Sequence, residues 1–432
     1  MQLSLLEDTP VRQNLKDARS GTFVDNMVLP VHRWFRYSAG FAAQWVEQIL
    51  GHWGIGENNF VLDPFAGSAT VMLVSDALGI PSAGVEAHPI VARIGKAKLL
   101  WLTSPQQLYE FAEQVIRVAQ SRPSGHNGNA DGYPQLITRS FGADALASLD
   151  RLKRSWLYLS DQSPESELVW LALTTILRPT STAGTAQWQY ILPNKTKKRV
   201  TEPFFAFRQQ VDLMCTDLYR MQGVAQMSRA EIIQGDARLL ADFIDPKVDA
   251  VVTSPPYASN YDYADALRFE MTFWGDVVGW GDIHDAVRKY LIVSSSQHSS
   301  RDRLQVDELL TSESVQPIRA ELAEVMQELS IVREDHGGKK HYHTMIGAYC
   351  RDIGLVLRQL RLVCRPGVRM CWVVGDSAPY GVYCPIDKWI GELALAAGFS
   401  EYSFEKLRDR NTKWKNRKHR VPLKEGLLWI EG

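Results

Sequence analysis

Apolar positions recur along this chain with two spacings. Short runs at 60–62, 82–85 and 248–252, the last broken only by Asp249, are bounded by acids or turn residues and read as buried strands. Longer stretches with apolar residues every three to four positions, at 70–78, 143–159, 168–177, 204–221 and 318–332, read as amphipathic helices. Strand, helix and strand follow closely from 60 to 85, the order of a βαβ unit, so an α/β chain with a mostly parallel, doubly wound sheet is predicted.

Two loops at predicted strand ends carry candidate chemistry. The first, Asp63-Pro64-Phe65-Ala66-Gly67-Ser68-Ala69-Thr70, leads from a strand into a helix, and Gly67 lets backbone approach a ligand closely. The next strand ends in Glu86, about 20 residues on, where doubly wound folds place the acid that grips a ribose. The Gly-x-Gly-x-x-Gly of dinucleotide sites is missing, and an adenosyl cofactor fits better.

The second loop, Thr253-Ser254-Pro255-Pro256-Tyr257, follows the run 248–252 at its carboxyl end, where open α/β sheets bind ligands. Its two prolines fix φ and remove two N–H donors, leaving a stiff turn of acceptors. An exocyclic amino nitrogen on cytosine or adenine is a poor nucleophile, because its lone pair is delocalised into the ring. A catalyst must accept its hydrogens, which the Ser254 hydroxyl and Pro255 carbonyl can do. Tyr257 offers a face on which an extruded base can stack, and extrusion is required because the amino group is otherwise paired in the duplex. Tyr261-Asp262-Tyr263 either lines that base pocket or starts the next helix.

Together these loops resemble the DNA amino-methyltransferases, which modify cytosine N4 or adenine N6. The resemblance implies S-adenosyl-L-methionine as cofactor and a Rossmann-like methyltransferase sheet, mostly parallel with a closing hairpin. The cofactor residues it implies are Asp63, Phe65, Ala66, Gly67, Ser68, Thr70, Glu86 and Thr253, with Ala69 standing where Gly is commoner. Gly235-Asp236-Ala237-Arg238 looks like the end of the third strand, with Asp236 and Ala237 beside the adenine. The aromatic stretch 30–50 is similar to the segment that folds over the methionine moiety. Residues 355–377 read as helix, turn and strand, and the stretch from Gly398 to 430 as the closing hairpin. Catalysis is carried over to Ser254, Pro255, Pro256 and Tyr257, and Ser in the first of these positions is typical of the cytosine-N4 branch.

The resemblance spans 20–100 and 229–432, so 1–100 with 229–432 is expected to be the catalytic domain. Residues 101–228 are expected to be an inserted, mainly helical target-recognition domain, because the plain fold has only a short connection there. Within it Lys195, Lys197, Lys198 and Arg199 lie near Trp188 and Tyr190, and interleaved cations and aromatics suit DNA. The stretch 275–340 reads as a second insertion or a mobile loop, with the serine run 294–300 as its loop-like part. A basic strip, Arg408, Arg410, Lys413, Lys415, Arg417, Lys418 and Arg420, is expected to touch DNA phosphates.

The chain has 432 residues, 45% hydrophobic and 22% charged, with net charge -1, the composition of a globular protein, which makes the strip a local excess. No run approaches the roughly 18 apolar residues of a membrane helix, and a cytoplasmic protein is expected. Its five Cys are scattered without metal spacing, so no metal is expected. Carbon-5 cytosine methylation needs a thiolate presented as Pro-Cys, and the adjacent pair here is the reverse, Cys384-Pro385. Direct attack by N4 of a flipped cytosine is therefore the expected reaction, within a restriction-modification system that can include a companion endonuclease. Adenine-N6 methylation of DNA, amino methylation of RNA and a catalytically inert DNA-binding module are the alternatives.

Overall fold

Seven strands pair into one sheet in a computed structural model that describes residues 24–37, 40–121, 132–186, 190–224, 227–302, 304–338, 340–410 and 421–432. They are β1 Val61–Asp63, β2 Ser82–Glu86, β3 Ala230–Gln234, β4 Val248–Thr253, β5 Cys364–Gly375, β6 Glu401–Arg410 and β7 Leu423–Glu431. The order across the sheet is β3-β2-β1-β4-β5-β7-β6. The first five strands are parallel, and β7 runs antiparallel to both its neighbours. This is the Rossmann-like methyltransferase sheet with its closing hairpin. Strand order reverses between β1 and β4, and ligands bind outside the carboxyl ends at such a point.

Helices cover both faces, as buried parallel strands require. On one face β1, β4 and β5 send Val61, Ala250, Val252, Cys371 and Val373 into a core shared with α1 (Ala43–His52), α2 (Thr70–Ala77) and α3 (Pro89–Lys98). Val251, Met370, Trp372 and Val374 alternate onto the other face. There they meet α8 (Arg319–Asp335), α9 (Tyr342–Val363) and α10 (Ile386–Ala396).

Between β2 and β3 the chain also forms α4 (Pro105–Ser121), α5 (Ala143–Leu159), α6 (Pro164–Thr180) and α7 (Pro203–Met221). Ser163 accepts from Ser166 N at 3.2 Å and Glu202 from the amides of Phe204 and Phe205 at 3.0 and 2.7 Å, each ahead of an N1 proline. Leu108, Leu149, Leu168 and Phe207 of these helices belong to the same apolar cluster as Val61 and Val252, so the insertion packs onto the sheet through a continuous core. A two-stranded antiparallel hairpin, Ala183–Thr185 with Ile191–Thr196, projects from it.

Two stretches differ from the sequence reading. The turn expected between α9 and its strand is absorbed as an exposed bulge inside β5. Val248 pairs with Cys364 but Ala250 with Arg369, and Gly367 sits between at φ 79°. The serine run is no exposed loop: Ser294, Ser295 and Ser296 are buried, a helix spans Ser296–Asp302, and Ser299 donates to the His341 carbonyl at 3.1 Å. Small hydroxyl side chains satisfy themselves against backbone and so tolerate burial.

Candidate active site

A cavity of about 1020 Å³ opens at the carboxyl ends of β1, β2 and β4 and joins both signature loops. On its cofactor side, Asp63 ends β1 buried and accepts from Phe65 N at 3.0 Å, which turns the chain into the loop. Ala69 lies at φ 72° and ψ 29° ahead of α2, in the left-handed region that favours glycine. Gly67 lies at φ 52°, and a Cβ there would approach the Tyr37 ring to 2.9 Å.

Glu86 accepts from Gly67 N at 2.9 Å and from His88 N at 2.7 Å, so the acid on β2 fixes the glycine loop of β1. Burial pushes the carboxyls of Glu86 and Asp63 up to about 7, against the hydrogen bonds each accepts. Two carboxyl groups beside a loop whose Gly67 carries no side chain fit a ligand with ribose hydroxyls and positive charge. At about 1020 Å³ the cavity stands at the upper end of the roughly 300–1,000 Å³ usual for a small-molecule site.

The diproline turn follows β4. Ser254 Oγ donates to the Val373 carbonyl at 3.2 Å, which commits its proton and turns its lone pairs toward acceptor work. Prolines 255 and 256 have no N–H, and the next amide, Tyr257 N, donates to the Tyr263 hydroxyl at 3.0 Å. The Tyr257 ring lines the cavity, with the Arg410 guanidinium 4.9 Å from its centroid. Burial and the nearby Glu425 carboxylate push its phenol well above the ordinary value, so it stays neutral. Tyr261 and Tyr263 pack at 4.0 Å and 31°, with Tyr190 edge-on to Tyr261 at 6.5 Å. Tyr261 and Tyr263 both line the cavity, and Tyr263 also starts the helix Tyr263–Ala266. Such a site can accept amino hydrogens at Ser254 and the Pro255 carbonyl while aromatic faces hold the ring.

Other sequence candidates fall in five groups. Phe65, Ala66, Ser68, Thr70, Asp236 and Ala237 join the cavity wall, with both Asp236 oxygens also held by Arg238 at 2.6–3.0 Å. Thr253 lies beneath the wall, buried, with its hydroxyl on Asp63 Oδ1 at 2.5 Å. Arg408 and Arg410 depart from the expected strip: they are partly buried on β6, Arg408 in the cavity wall and Arg410 against Tyr257. Lys195, Lys198 and Arg199 are exposed near the hairpin, while Lys197 donates to the Arg178 carbonyl at 2.8 Å. Trp188, Lys413, Lys415, Arg417, Lys418 and Arg420 lie outside the described residues.

Sequence reasoning did not find the residues that assemble the wall over long range. Asp217 of α7 is fully buried and accepts from Val31 N, Arg33 Nε, Arg33 Nη2 and Trp34 Nε1 at 3.2, 3.0, 2.5 and 3.0 Å. It pins the aromatic segment whose Phe35, Tyr37 and Phe41 line the cavity. Lys98 of α3 supports the same segment, donating to the carbonyls of His32 and Phe35 at 3.0 and 3.3 Å. Arg178 of α6 reaches buried Glu270 at 2.5 and 2.9 Å, both at the cavity wall. The one local signal for Asp217 is an acid inside an otherwise amphipathic helix.

No protein-family model matches the chain. It is 22% identical over 442 residues to Type II methyltransferase M.BsoBI of Geobacillus stearothermophilus, covering 92% of this chain and 85% of that protein. It is also 22% identical over 402 residues to Type II methyltransferase M.AvaI of Nostoc sp. and of Anabaena variabilis, covering 88% of this chain and 81% of each. Among solved structures, the rRNA methyltransferase aviRa from Streptomyces viridochromogenes matches with a TM-score of 0.29 and 11% identity, covering 100% of this chain and 96% of that one. The fold assignment rests on strand order. These relatives, aligned along most of the chain, bear out the resemblance to the amino-methyltransferases.

Proposed function

We propose that this chain, a relative of the Type II methyltransferases, transfers a methyl group from S-adenosyl-L-methionine to N4 of a flipped cytosine in DNA. The observation that carries the reading is the juxtaposition, in one cavity, of the Glu86-pinned glycine loop with Ser254, Pro255, Pro256 and Tyr257. The cofactor, when bound, supplies an electrophilic methyl on a sulfonium. Ser254 and the Pro255 carbonyl accept the amino hydrogens, which localises the nitrogen lone pair for direct attack. Tyr257 holds the ring, and the proton released from nitrogen passes to water. Ser254, rather than Asn or Asp, favours cytosine N4 over adenine N6. The exposed cations Lys195, Lys198 and Arg199 suit duplex phosphates. No described helix is long and apolar enough to cross a membrane. DNA as substrate places the protein in the cytoplasm, where a companion endonuclease would share its recognition sequence.

Ser254→Ala tests the assignment. Methyl transfer to DNA should fall by about 10²–10³ in kcat, the loss typical of one donor or acceptor at a developing charge. Cofactor affinity by calorimetry should stay within about twofold. An equal loss of both would remove Ser254 from the chemical step.

A further inference from the structure

The β6–β7 hairpin carries an irregularity that changes what the cavity contains. Lys406 pairs with Gly426 and Arg408 with Glu425, so two steps along β6 match one along β7, with Leu407 the extra residue. A side chain at 408 in an uninterrupted strand would share the face of Phe404 and Lys406. Phe404 lies on the α9 face of the sheet. The bulge moves Arg408 across to the face of Glu425, which is the face of the cavity. Gly426 is required for this geometry, because a Cβ there would overlap the Glu405 carbonyl and the Phe404 ring.

Arg408 is held once it arrives. Its Nη2 lies 2.6 Å from Glu425 Oε1, and that carboxylate is 4% exposed. Glu425 pairs with Gly375 across β7 and β5, two residues beyond Val373, whose carbonyl receives the Ser254 hydroxyl. Arg410 completes the group, donating to the Asp376 carbonyl at 2.6 Å while its guanidinium lies over Tyr257. Arg408, Glu425, Val373, Ser254 and Tyr257 therefore form one stretch of wall around the place where an amino group would be held.

We propose that Arg408 is a specificity-determining residue that donates hydrogen bonds to the ring edge of the target base beside its amino group, and so selects cytosine. The inference rests on the base-methylation reading above. Next to N4, cytosine presents two acceptors in a row, ring N3 and carbonyl O2. Next to N6, adenine presents N1 and then a C–H. A planar guanidinium with five donors in a fork matches the first edge bidentately and the second through one bond only. Glu425 keeps the guanidinium in plane and compensates its charge inside the wall.

The test compares cytosine with 3-deazacytosine, which keeps the amino group and O2 but replaces ring N3 by C–H. Each is placed at the mapped target position of a duplex oligonucleotide. Wild type, Arg408→Met and Arg408→Lys are assayed for kcat/KM, and the salt dependence of duplex binding is recorded. Wild type should prefer cytosine by about 10–100-fold, the discrimination expected of one such contact. Arg408→Met should lose most of that preference with an unchanged salt slope, and Arg408→Lys should restore it only in part. Arg408→Met that keeps the full preference would overturn the proposal. So would a salt slope lowered by about one unit, the mark of a phosphate contact. Failure of the underlying reading looks different: wild type would leave no methyl group on cytosine N4 of either duplex.

Discussion

The Thr253 hydroxyl donates to Asp63 Oδ1 at 2.5 Å, joining the last residue of β4 to the last residue of β1. The two loops to which the proposal gives cofactor and catalytic chemistry are thus bonded at their roots, across the point where strand order reverses. Both groups are buried, and breaking the pair removes one of the two donors on Asp63 Oδ1, leaving only the Phe65 amide. Thr253→Val should destabilise the fold by about 1–3 kcal/mol. Urea unfolding measures this, and calorimetry should show weaker cofactor binding with it. Wild-type stability in this variant would reduce the pair to a coincidence of packing.

Glu86 gives a pH prediction with a definite sign. Its folded carboxyl titrates at about 7 and the unfolded one near the ordinary 4.5. Between those values the native chain holds a proton that the unfolded chain has released, so the contribution of this group to stability falls as pH rises. Cofactor binding runs the other way, because the carboxylate must be charged to accept ribose hydroxyls. Affinity should weaken as pH drops below 7, and Glu86→Gln should remove this group's share of both profiles while that of Asp63 remains. A wild-type affinity flat from pH 6 to 8 would contradict the ribose role.

Tyr263 acts on the chemistry through Tyr257. Tyr263→Phe removes the acceptor of the Tyr257 amide, and the turn loses its anchor. The expected outcome is a fall in kcat of about tenfold, equivalent to roughly 1.4 kcal/mol. The KM for cofactor should not change, because Gly67 and Glu86 are untouched. Steady-state kinetics on DNA separate the two effects.

Asp217 holds in place the aromatic segment whose Phe35, Tyr37 and Phe41 line the cavity. Asp217→Ala leaves the Arg33 guanidinium without its buried partner and should cost about 3–5 kcal/mol. Limited proteolysis near residue 30 should accelerate in step with the loss of cofactor affinity. Cleavage at the wild-type rate would mean that the segment is held by its aromatic packing alone.

The exposed hairpin cations should report on DNA contact. Neutralising Lys195, Lys198 and Arg199 together should lower the salt slope of duplex binding by about two to three units if each meets a phosphate. An unchanged slope would exclude them from the interface.

The sequence carried both loops because each is local. Asp63 to Thr70 and Thr253 to Tyr257 declare themselves by residue type within a few positions, and strand ends before them follow from short apolar runs. The α5, α7 and α8 boundaries came within a few residues of the expected spans, since apolar periodicity persists over several turns. The place of Arg408 in the cavity wall was not legible because a one-residue bulge reverses every side chain beyond it, and only the register opposite Gly426 reveals it. Asp217 and Glu270 depend on contacts 184 and 92 residues away, which no local pattern encodes. The serine run looked mobile because composition alone does not distinguish a solvated loop from hydroxyls bonded to buried backbone.

The most direct test of the central claim is to incubate the protein with mixed-sequence duplex DNA and methyl-labelled S-adenosyl-L-methionine, digest to nucleosides and identify the labelled one. N4-methylcytosine is the predicted product. Label on adenine N6, on cytosine carbon 5, or on no base at all would contradict the account.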